Sequence, residues 1–235
     1  LELDFNDLEV ELRKLSNDFL LYVCPDFSNP TGKSLTYDER ALIAKFAESN
    51  NFTVFEDVTY RPFYIQTQDK ISPIYSLAPN RVIYSFSFSK VFSPALRVAL
   101  NIVPTNIYNQ FELIKASLSI NSSGFSQAVL GGWLINKDFS YSNSLRPILE
   151  RLKENHSIID NSELPSDEVL GGFFRLITMQ EVFDSPEEMI EKEGILVLPM
   201  AYFSNQSEYR NIIRIAIANI PGKKLSEAVE LLKGK

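Results

Sequence analysis

The sequence has very few of the residues that build disulfides and metal centres. Its 235 residues include one cysteine, Cys24, and one histidine, His156. A single cysteine excludes an internal disulfide and a cysteine-based zinc cluster. His156 lies in a polar, helix-like segment where we expect it to be solvated, so histidine-based triads and zinc sites have no support. We therefore expect no metal site.

Basic charge and long apolar runs are also scarce. Lysine and arginine number 23 against 30 acidic residues, a net charge of −7, which argues against the broad basic face of a nucleic-acid-binding protein. The longest apolar run, near "ILVLPMAYF", is about half as long as a membrane helix, and no signal peptide is visible. We expect a cytoplasmic protein, with neither membrane nor nucleic acid bound by this segment.

Short apolar runs alternate with helical periodicity in the first part of the chain. A helix is predicted after Thr36, which forms a capping box with Glu39. Strands are predicted by the runs at 18–24, 52–57, 81–87 and 97–104. This alternation is typical of an α/β fold with a mostly parallel sheet.

The second part of the chain repeats this alternation on a smaller scale. A largely helical region over 105–152, broken at 121–124, leads into further strand candidates at 171–179, 194–200 and 211–219. Helices are predicted between and after these strands. We therefore predict a larger domain over 1–138 and a smaller α/β domain over 139–235.

A short motif that resembles a nucleotide-binding P-loop lacks the residues that a P-loop needs. The sequence "GKS", Gly32 to Ser34, follows a predicted strand and precedes a helix, as in a nucleotide-binding P-loop. That loop needs a glycine five positions before Gly32, where Phe27 stands. Pro30 also removes a backbone N–H that a phosphate would need. The P-loop interpretation is rejected.

Four stretches of polar side chains do form a pattern when taken together. They are "NPTG" at 29–32, "EDVTY" at 56–60, "SFSK" to "PALR" at 87–97, and "NIIRIA" at 211–216. Their order and spacing resemble the class I/II aminotransferases, fold-type I enzymes that use pyridoxal phosphate. The likeness runs from about Leu8 to the C-terminus. It is greatest to the subgroup of 2-aminoadipate-type aminotransferases and the aminotransferase-like domains of some transcription regulators.

The resemblance implies a fold and a cofactor site. The fold would be the PLP-dependent transferase-like fold, incomplete here because the family's N-terminal part is missing. Lys90 would form the Schiff base with pyridoxal 5'-phosphate, and burial beside cations would keep its amine partly deprotonated. Arg97 and Ser87 would bind the phosphate. Asp57 would pair with the pyridine nitrogen, although Glu56 is the adjacent alternative because only one can face the site.

The remaining site residues would bind the phenolic oxygen and the substrate. By the same resemblance, Tyr60 and Asn29 contact the cofactor's phenolic oxygen, and Asn29 also helps to hold the substrate carboxylate. Arg214 would bind that carboxylate bidentately. Period-2 alternation places Arg214 on the strand face opposite Ile213 and Ile215, among apolar neighbours, where an arginine needs an anion. An internal salt bridge is the alternative.

Three positions depart from the family pattern. The family usually has glycine where Ala95 and Ala99 stand, and often has Pro-Gly where Pro199 and Met200 stand. Glycine near a phosphate lets the backbone come close, so cofactor affinity is the property that these departures affect.

The resemblance therefore predicts a PLP-dependent aminotransferase. It would move an amino group between an amino acid and a 2-oxo acid, with an aromatic, branched or 2-aminoadipate-like substrate. The family also implies a homodimer. Two alternatives stay open: a PLP-dependent C–S or β-eliminating lyase, and the effector domain of a transcription regulator.

Overall fold

A computed structural model of the chain describes residues 10, 19–66, 70–136, 141–182, 185–204 and 209–233. The chain divides into two compact units. The first unit comprises Leu1–Pro25, Leu35–Thr59 and Ile71–Ser140, and the second comprises Asp26–Ser34, Tyr60–Lys70 and Tyr141–Lys235. Two short segments, 26–34 and 60–70, thus fold with the C-terminal part of the chain.

The first unit is built on a four-stranded sheet. Its strands are β1 (Leu20–Val23), β2 (Thr53–Asp57), β3 (Val82–Ser87) and β4 (Ala99–Ile102), in the order β1-β2-β3-β4. The first three strands are parallel, and β4 runs antiparallel to β3. The predicted α/β fold with a mostly parallel sheet is therefore confirmed. In such a sheet the carboxyl ends of β2 and β3 lie at the same edge.

Helix α1 (Tyr37–Asn50) begins at the predicted capping box. The Thr36 hydroxyl accepts from the backbone N–H of Glu39, and the Glu39 carboxylate accepts from the backbone N–H of Thr36 at 2.6 Å. The helix ends at Asn51, whose φ of 59° is left-handed. Its apolar stripe joins the unit's core, which contains Ile43, Ala44, Ala47, Phe52, Val54, Ile74, Ala78 and Val82.

Two further helices of this unit carry little core. They are α2 (Tyr108–Leu118) and α3 (Gly124–Ile135), separated where the sequence predicted a break. None of the α2 residues is buried, and Leu118 and Phe125 expose more than three quarters of their surface. Among the described residues, none of the helices combines the length and apolar character that crossing a lipid bilayer requires.

In its described residues, the second unit has a small antiparallel sheet and three α-helices. Its strands are β5 (Phe174–Thr178), β6 (Leu198–Pro199) and β7 (Ile212–Ala216), with β7 in the middle. Its helices are α4 (Tyr141–Asp160), α5 (Pro186–Glu193) and α6 (Gly222–Leu232), and α4 packs on α6. Ile213 and Ile215 are buried while Arg214 faces the other side, which confirms the predicted alternation.

The predicted solvent exposure of His156 was wrong. The histidine is only 2% exposed, not solvated. The polar residues around it on α4, such as Lys153 and Glu154, occupy the outer face. Leu145, Leu152 and Ile159 are buried on the inner face, and helical periodicity places His156 on that same stripe.

Candidate active site

One loop of the first unit carries three of the predicted site residues. Residues 88–98 leave β3 and return to β4, and the loop is closed where Ser87 pairs with Ala99 and the Phe88 N–H donates to the Val98 carbonyl at 3.1 Å. Ser87 stands at its base, and Lys90 and Arg97 lie within it. The chain path therefore presents a hydroxyl, an amine and a guanidinium from one short segment.

Apolar anchors hold this loop while its two cations face solvent. Phe88 and Val91 are buried, and the Phe92 ring packs edge-on against Trp133 at 4.6 Å. Lys90 and Arg97 are exposed. Among the described residues, the expectation that Lys90 is buried is therefore wrong, because the loop is anchored by its apolar side chains while the lysine points to solvent. Within the first unit, neither cation has a described ion-pair or hydrogen-bond partner.

Asp57 lies at the carboxyl end of β2, beside this loop's parent strand. It is paired in register with Ser85 of β3, two residues before Ser87. One carboxylate oxygen accepts from the Tyr22 hydroxyl at 2.8 Å, and the other accepts from the backbone N–H and the hydroxyl of Thr59. The carboxylate is therefore fixed in orientation at the edge where α/β sheets bind ligands.

The alternative carboxylate, Glu56, has a different task. Glu56 is fully buried, and its two oxygens accept from the backbone N–H groups of Ile74 and Tyr75 at 2.7 and 2.8 Å. These groups begin the 3-10 turn Ile74–Ser76, whose N-terminal N–H groups need acceptors. Glu56 is therefore committed to the fold, which leaves Asp57 as the carboxylate available to a ligand.

In the second unit, Arg214 is held between two aromatic rings. Its guanidinium carbon lies 4.7 Å from the centroid of Phe174 and 4.9 Å from that of Phe203. Its Nη1 donates to the Asn29 side-chain oxygen at 2.6 Å, and its buried Nε has no partner among the described residues. Burial lowers the pKa of Arg214, and its interaction with Tyr60 acts in the opposite direction.

The described surroundings of Arg214 bear on its two interpretations within its own unit. No described carboxylate of the second unit pairs with the guanidinium, so the alternative of an internal salt bridge has no support there. The guanidinium lies over both aromatic rings. Its Nε has no described partner, and a carboxylate can bind a guanidinium through two parallel hydrogen bonds.

Asn29 reaches Arg214 from a tight turn that depends on glycine. The Gly32 N–H donates to the Ser28 carbonyl at 2.6 Å, and Gly32 has a φ of +72°. A Cβ at this position would clash with the carbonyl oxygen of Phe174. The turn therefore packs directly against the start of β5, which explains the glycine of "NPTG" physically.

Tyr60 belongs to the same aromatic group. It is 8% exposed, and its ring meets Phe173 and Phe174 edge-on at 5.6 and 5.5 Å. The second unit thus brings Asn29, Tyr60 and Arg214 together. The first unit separately brings together Asp57 and the residues of the 88–98 loop.

Comparison with protein families settles which group of proteins the chain joins. The model of the aminotransferase class I and II family matches residues 1–232.

The chain belongs to this family.

Individual aminotransferase relatives agree with this assignment. The (S)-3,5-dihydroxyphenylglycine transaminase of Amycolatopsis orientalis is 28% identical over 233 residues, covering 90% of this chain and 52% of that protein. The aromatic-amino-acid aminotransferase 1 of Thermococcus litoralis is 25% identical, covering 99% and 57%. A transcriptional regulator, NorG of Staphylococcus aureus, is 27% identical, covering 89% and 48%. The chain thus spans about half the length of the curated relatives it matches.

Solved aminotransferase structures confirm the fold. The α-aminoadipate aminotransferase LysN of Thermus thermophilus superposes with a TM-score of 0.83 at 24% identity, covering 97% of this chain and 61% of LysN. The kynurenine aminotransferase of Pyrococcus horikoshii gives the same TM-score at 22% identity, covering 98% and 60%. At these identities the likeness concerns the fold alone, and it confirms the predicted PLP-dependent transferase-like fold.

Several side chains that contact the predicted site residues were not found from the sequence. Tyr22 and Thr59 bind the Asp57 carboxylate, and Phe174 and Phe203 stack on Arg214. The Thr59 contact had a local signal, because Asp-x-Thr is a common turn in which the carboxylate caps the residue two positions on. The other three contacts join residues that are far apart in sequence.

Proposed function

We propose that this chain carries the lysine-bearing part of a PLP-dependent aminotransferase. The reaction would move an amino group between an amino acid and a 2-oxo acid. The observation that carries this proposal is the closed loop 88–98. It brings Ser87, Lys90 and Arg97 to the sheet edge at which the oriented carboxylate of Asp57 lies.

The residues of the first unit fit pyridoxal phosphate chemically. The exposed Lys90 amine matches an aldehyde, and the exposed Arg97 guanidinium with the Ser87 hydroxyl matches a phosphate. The Asp57 carboxylate, already oriented by Tyr22, matches a protonated pyridine nitrogen. When bound, the cofactor supplies an electron-accepting ring that stabilises negative charge at the substrate Cα.

Each residue then has a defined task. Lys90 would hold the cofactor covalently through Nζ, and the same amine, once freed, would move the proton at the substrate Cα. Asp57 would keep the ring nitrogen protonated. By the family resemblance, Tyr60 and Asn29 would donate hydrogen bonds to the phenolic oxygen. Arg214, whose Nη1 donates to Asn29, would bind the substrate carboxylate.

The substrate proposal is an aromatic, branched or 2-aminoadipate-like amino acid. It is supported by the activities of two relatives, which concern dihydroxyphenylglycine and aromatic amino acids, and by the aromatic side chains around Arg214. We further propose a cytoplasmic homodimer, with domains over 1–138 and 139–235. The exposed apolar side chains of α2 and α3 support association, and sedimentation of the full-length protein would test it.

Absorbance spectroscopy tests the function. Full-length protein mixed with pyridoxal phosphate is expected to show the visible band of a covalently held cofactor, and Lys90→Ala is expected to lose it. Lys33→Ala, which removes a lysine paired with Asp167, is the control and should keep the band. Asp57→Ala should keep the band but slow turnover by orders of magnitude. Identical spectra for wild type and Lys90→Ala would contradict the proposal.

A second candidate function is a regulatory domain that binds the cofactor as a sensor. The likeness to NorG, a transcriptional regulator, favours it. Cofactor binding without transamination of any amino acid would support the regulator. Formation of 2-oxo acid without an acceptor would instead support the lyase alternative.

A further inference from the structure

A buried polar cluster in the second unit centres on the only histidine. His156 of α4 is 2% exposed and Arg175 of β5 is 1% exposed. Arg175 Nη1 donates to Asp160 at 2.7 Å, and its Nη2 donates to the Ser166 hydroxyl at 2.8 Å. No step proposed above uses these residues, yet burying such groups is costly unless they are paired.

The hydrogen bonds of His156 determine where its proton lies. Nε2 is 3.1 Å from the Gly172 carbonyl oxygen, which can only accept, so Nε2 carries the hydrogen. Nδ1 is 3.3 Å from Arg175 Nη1, which can only donate, so Nδ1 is the acceptor. The ring is therefore neutral. Burial lowers the pKa of His156 to about 4, Arg175 acts in the same direction, and Gly172 and Asp160 oppose the shift.

The carbonyl that His156 holds belongs to a sharply bent segment. Gly171 and Gly172 have φ values of +149° and +81°. The Gly172 N–H donates to the Phe63 carbonyl at 3.0 Å, and a Cβ on Gly172 would clash with the Phe27 ring. His156 thus binds the carbonyl of Gly172, while the N–H and the Cα of the same glycine are already in contact with Phe63 and Phe27.

This glycine pair leads directly into the residues that support Arg214. Phe173 and Phe174 follow it, and both rings meet Tyr60. Phe174 also lies against the Arg214 guanidinium. Strand alternation puts Phe174 and Arg175 on opposite faces of β5. Gly172 and Arg175 are held by His156 of α4, on one face of β5. Because Phe174 lies between them in sequence, these contacts set its position on the other face, beside Arg214.

We propose that His156 is a positioning residue for the carboxylate-binding Arg214. As a neutral imidazole it binds Gly172 and Arg175 at once, and it thereby holds the Phe174 ring against one face of the guanidinium. The proposal rests on the proposed function, in which Arg214 binds the substrate carboxylate.

Kinetics of the complete, cofactor-loaded enzyme test this role. His156→Gln keeps one donor and one acceptor, whereas His156→Leu keeps neither. The assay uses the amino acid that the wild type converts fastest, with 2-oxoglutarate as acceptor. In the leucine variant, the KM for that amino acid should rise about tenfold, which is equivalent to the loss of one or two buried hydrogen bonds. Its kcat should fall less than its KM rises. The glutamine variant should lie near wild type, as should the control Lys153→Ala on the exposed side of α4.

Nuclear magnetic resonance of the histidine gives a readout that does not depend on turnover. Because the chain has one histidine, ¹⁵N-histidine labelling should show a single ring protonated at Nε2 and unchanged between pH 7.5 and 5.5. Protonation at Nδ1, or titration near pH 6.5, would overturn the proposal.

The outcomes separate the two proposals. An active wild type whose leucine variant has an unchanged KM, or whose glutamine and leucine variants are equally impaired, overturns the role of His156 alone. A wild type that transaminates no amino acid overturns the proposed function and, with it, the role in substrate binding. In that case the resonance result still decides whether His156 anchors Gly172.

Discussion

At the scale of single residues, Arg97 joins an exposed guanidinium to an uncommon backbone conformation. Its φ of +53° lies in the left-handed region, which costs a residue with a Cβ about 1 kcal/mol. Such conformations persist where the surroundings demand them, and they are frequent at ligand sites. In this chain the demand comes from the closed loop that also carries Lys90.

Replacing Arg97 by glycine should change protein stability and the affinity for pyridoxal phosphate in opposite directions. Arg97→Gly is expected to raise the free energy of unfolding by up to about 1 kcal/mol, because glycine adopts this φ without strain. The same variant should bind pyridoxal phosphate more weakly, because the phosphate loses its guanidinium. Urea denaturation and equilibrium dialysis measure the two effects.

Arg97→Lys provides the matched control. It keeps both the strain and a positive charge, so its stability should match wild type, with cofactor affinity between those of wild type and Arg97→Gly. Equal cofactor affinity in all three proteins would remove Arg97 from the phosphate site.

At the scale of elements, the conformation of the "NPTG" turn is fixed by its contact with strand β5. Gly32 has a positive φ and lies against the Phe174 carbonyl. Any Cβ there meets backbone that cannot move without shifting β5, the strand that supports Arg214. The turn and the strand are therefore positioned by one another.

Gly32→Ala should destabilise the protein by more than about 1 kcal/mol, since it adds a backbone clash to a strained φ. The control is Gly131→Ala within α3, where a Cβ meets nothing within 4 Å. Alanine there should be neutral or stabilising by up to about 1 kcal/mol, because it favours helix. Thermal unfolding of both variants checks this, and equal effects would contradict the packing of Gly32 described above.

The elements that depend on local sequence signals could be predicted from the sequence. The capping box at Thr36 and the alternation around Arg214 were both confirmed, because each depends on residues within one turn or strand. The burial of His156 was missed although helical periodicity places it on the apolar stripe of α4, whereas its contacts with Gly172 and Arg175 could not be predicted because they depend on tertiary packing. The contact between Tyr22 and Asp57 joins two strands, and its partners become visible only once the sheet register is known.

At the scale of the whole molecule, His156 makes folding depend on pH. Its pKa is lowered from 6.5 to about 4 in the folded chain, so the unfolded chain binds the extra proton first as the pH falls. The contribution of His156 to stability is therefore fully present above about pH 6.5 and is lost progressively towards pH 4. The shift corresponds to about 3 kcal/mol.

Unfolding free energies at pH 7, 5.5 and 4.5 test this dependence. Other groups also titrate in this range, so the informative quantity is the difference between wild type and His156→Gln. That variant has no imidazole and should lose less stability on acidification. Parallel curves for the two proteins would show that His156 does not couple folding to pH.

Covalent capture of the cofactor would identify the lysine that binds it, and so tests the proposed role of Lys90. Full-length protein would be loaded with pyridoxal phosphate, reduced with borohydride, digested and mapped by mass spectrometry. Lys70 is the most informative competitor, because partial desolvation and the neighbouring Arg61 lower the pKa of its amine, which favours reactivity. We expect stoichiometric labelling of Lys90, with Lys70 and Lys33 unlabelled. Label on Lys70, or label spread over several lysines with Lys90 untouched, would show that Lys90 does not bind the cofactor.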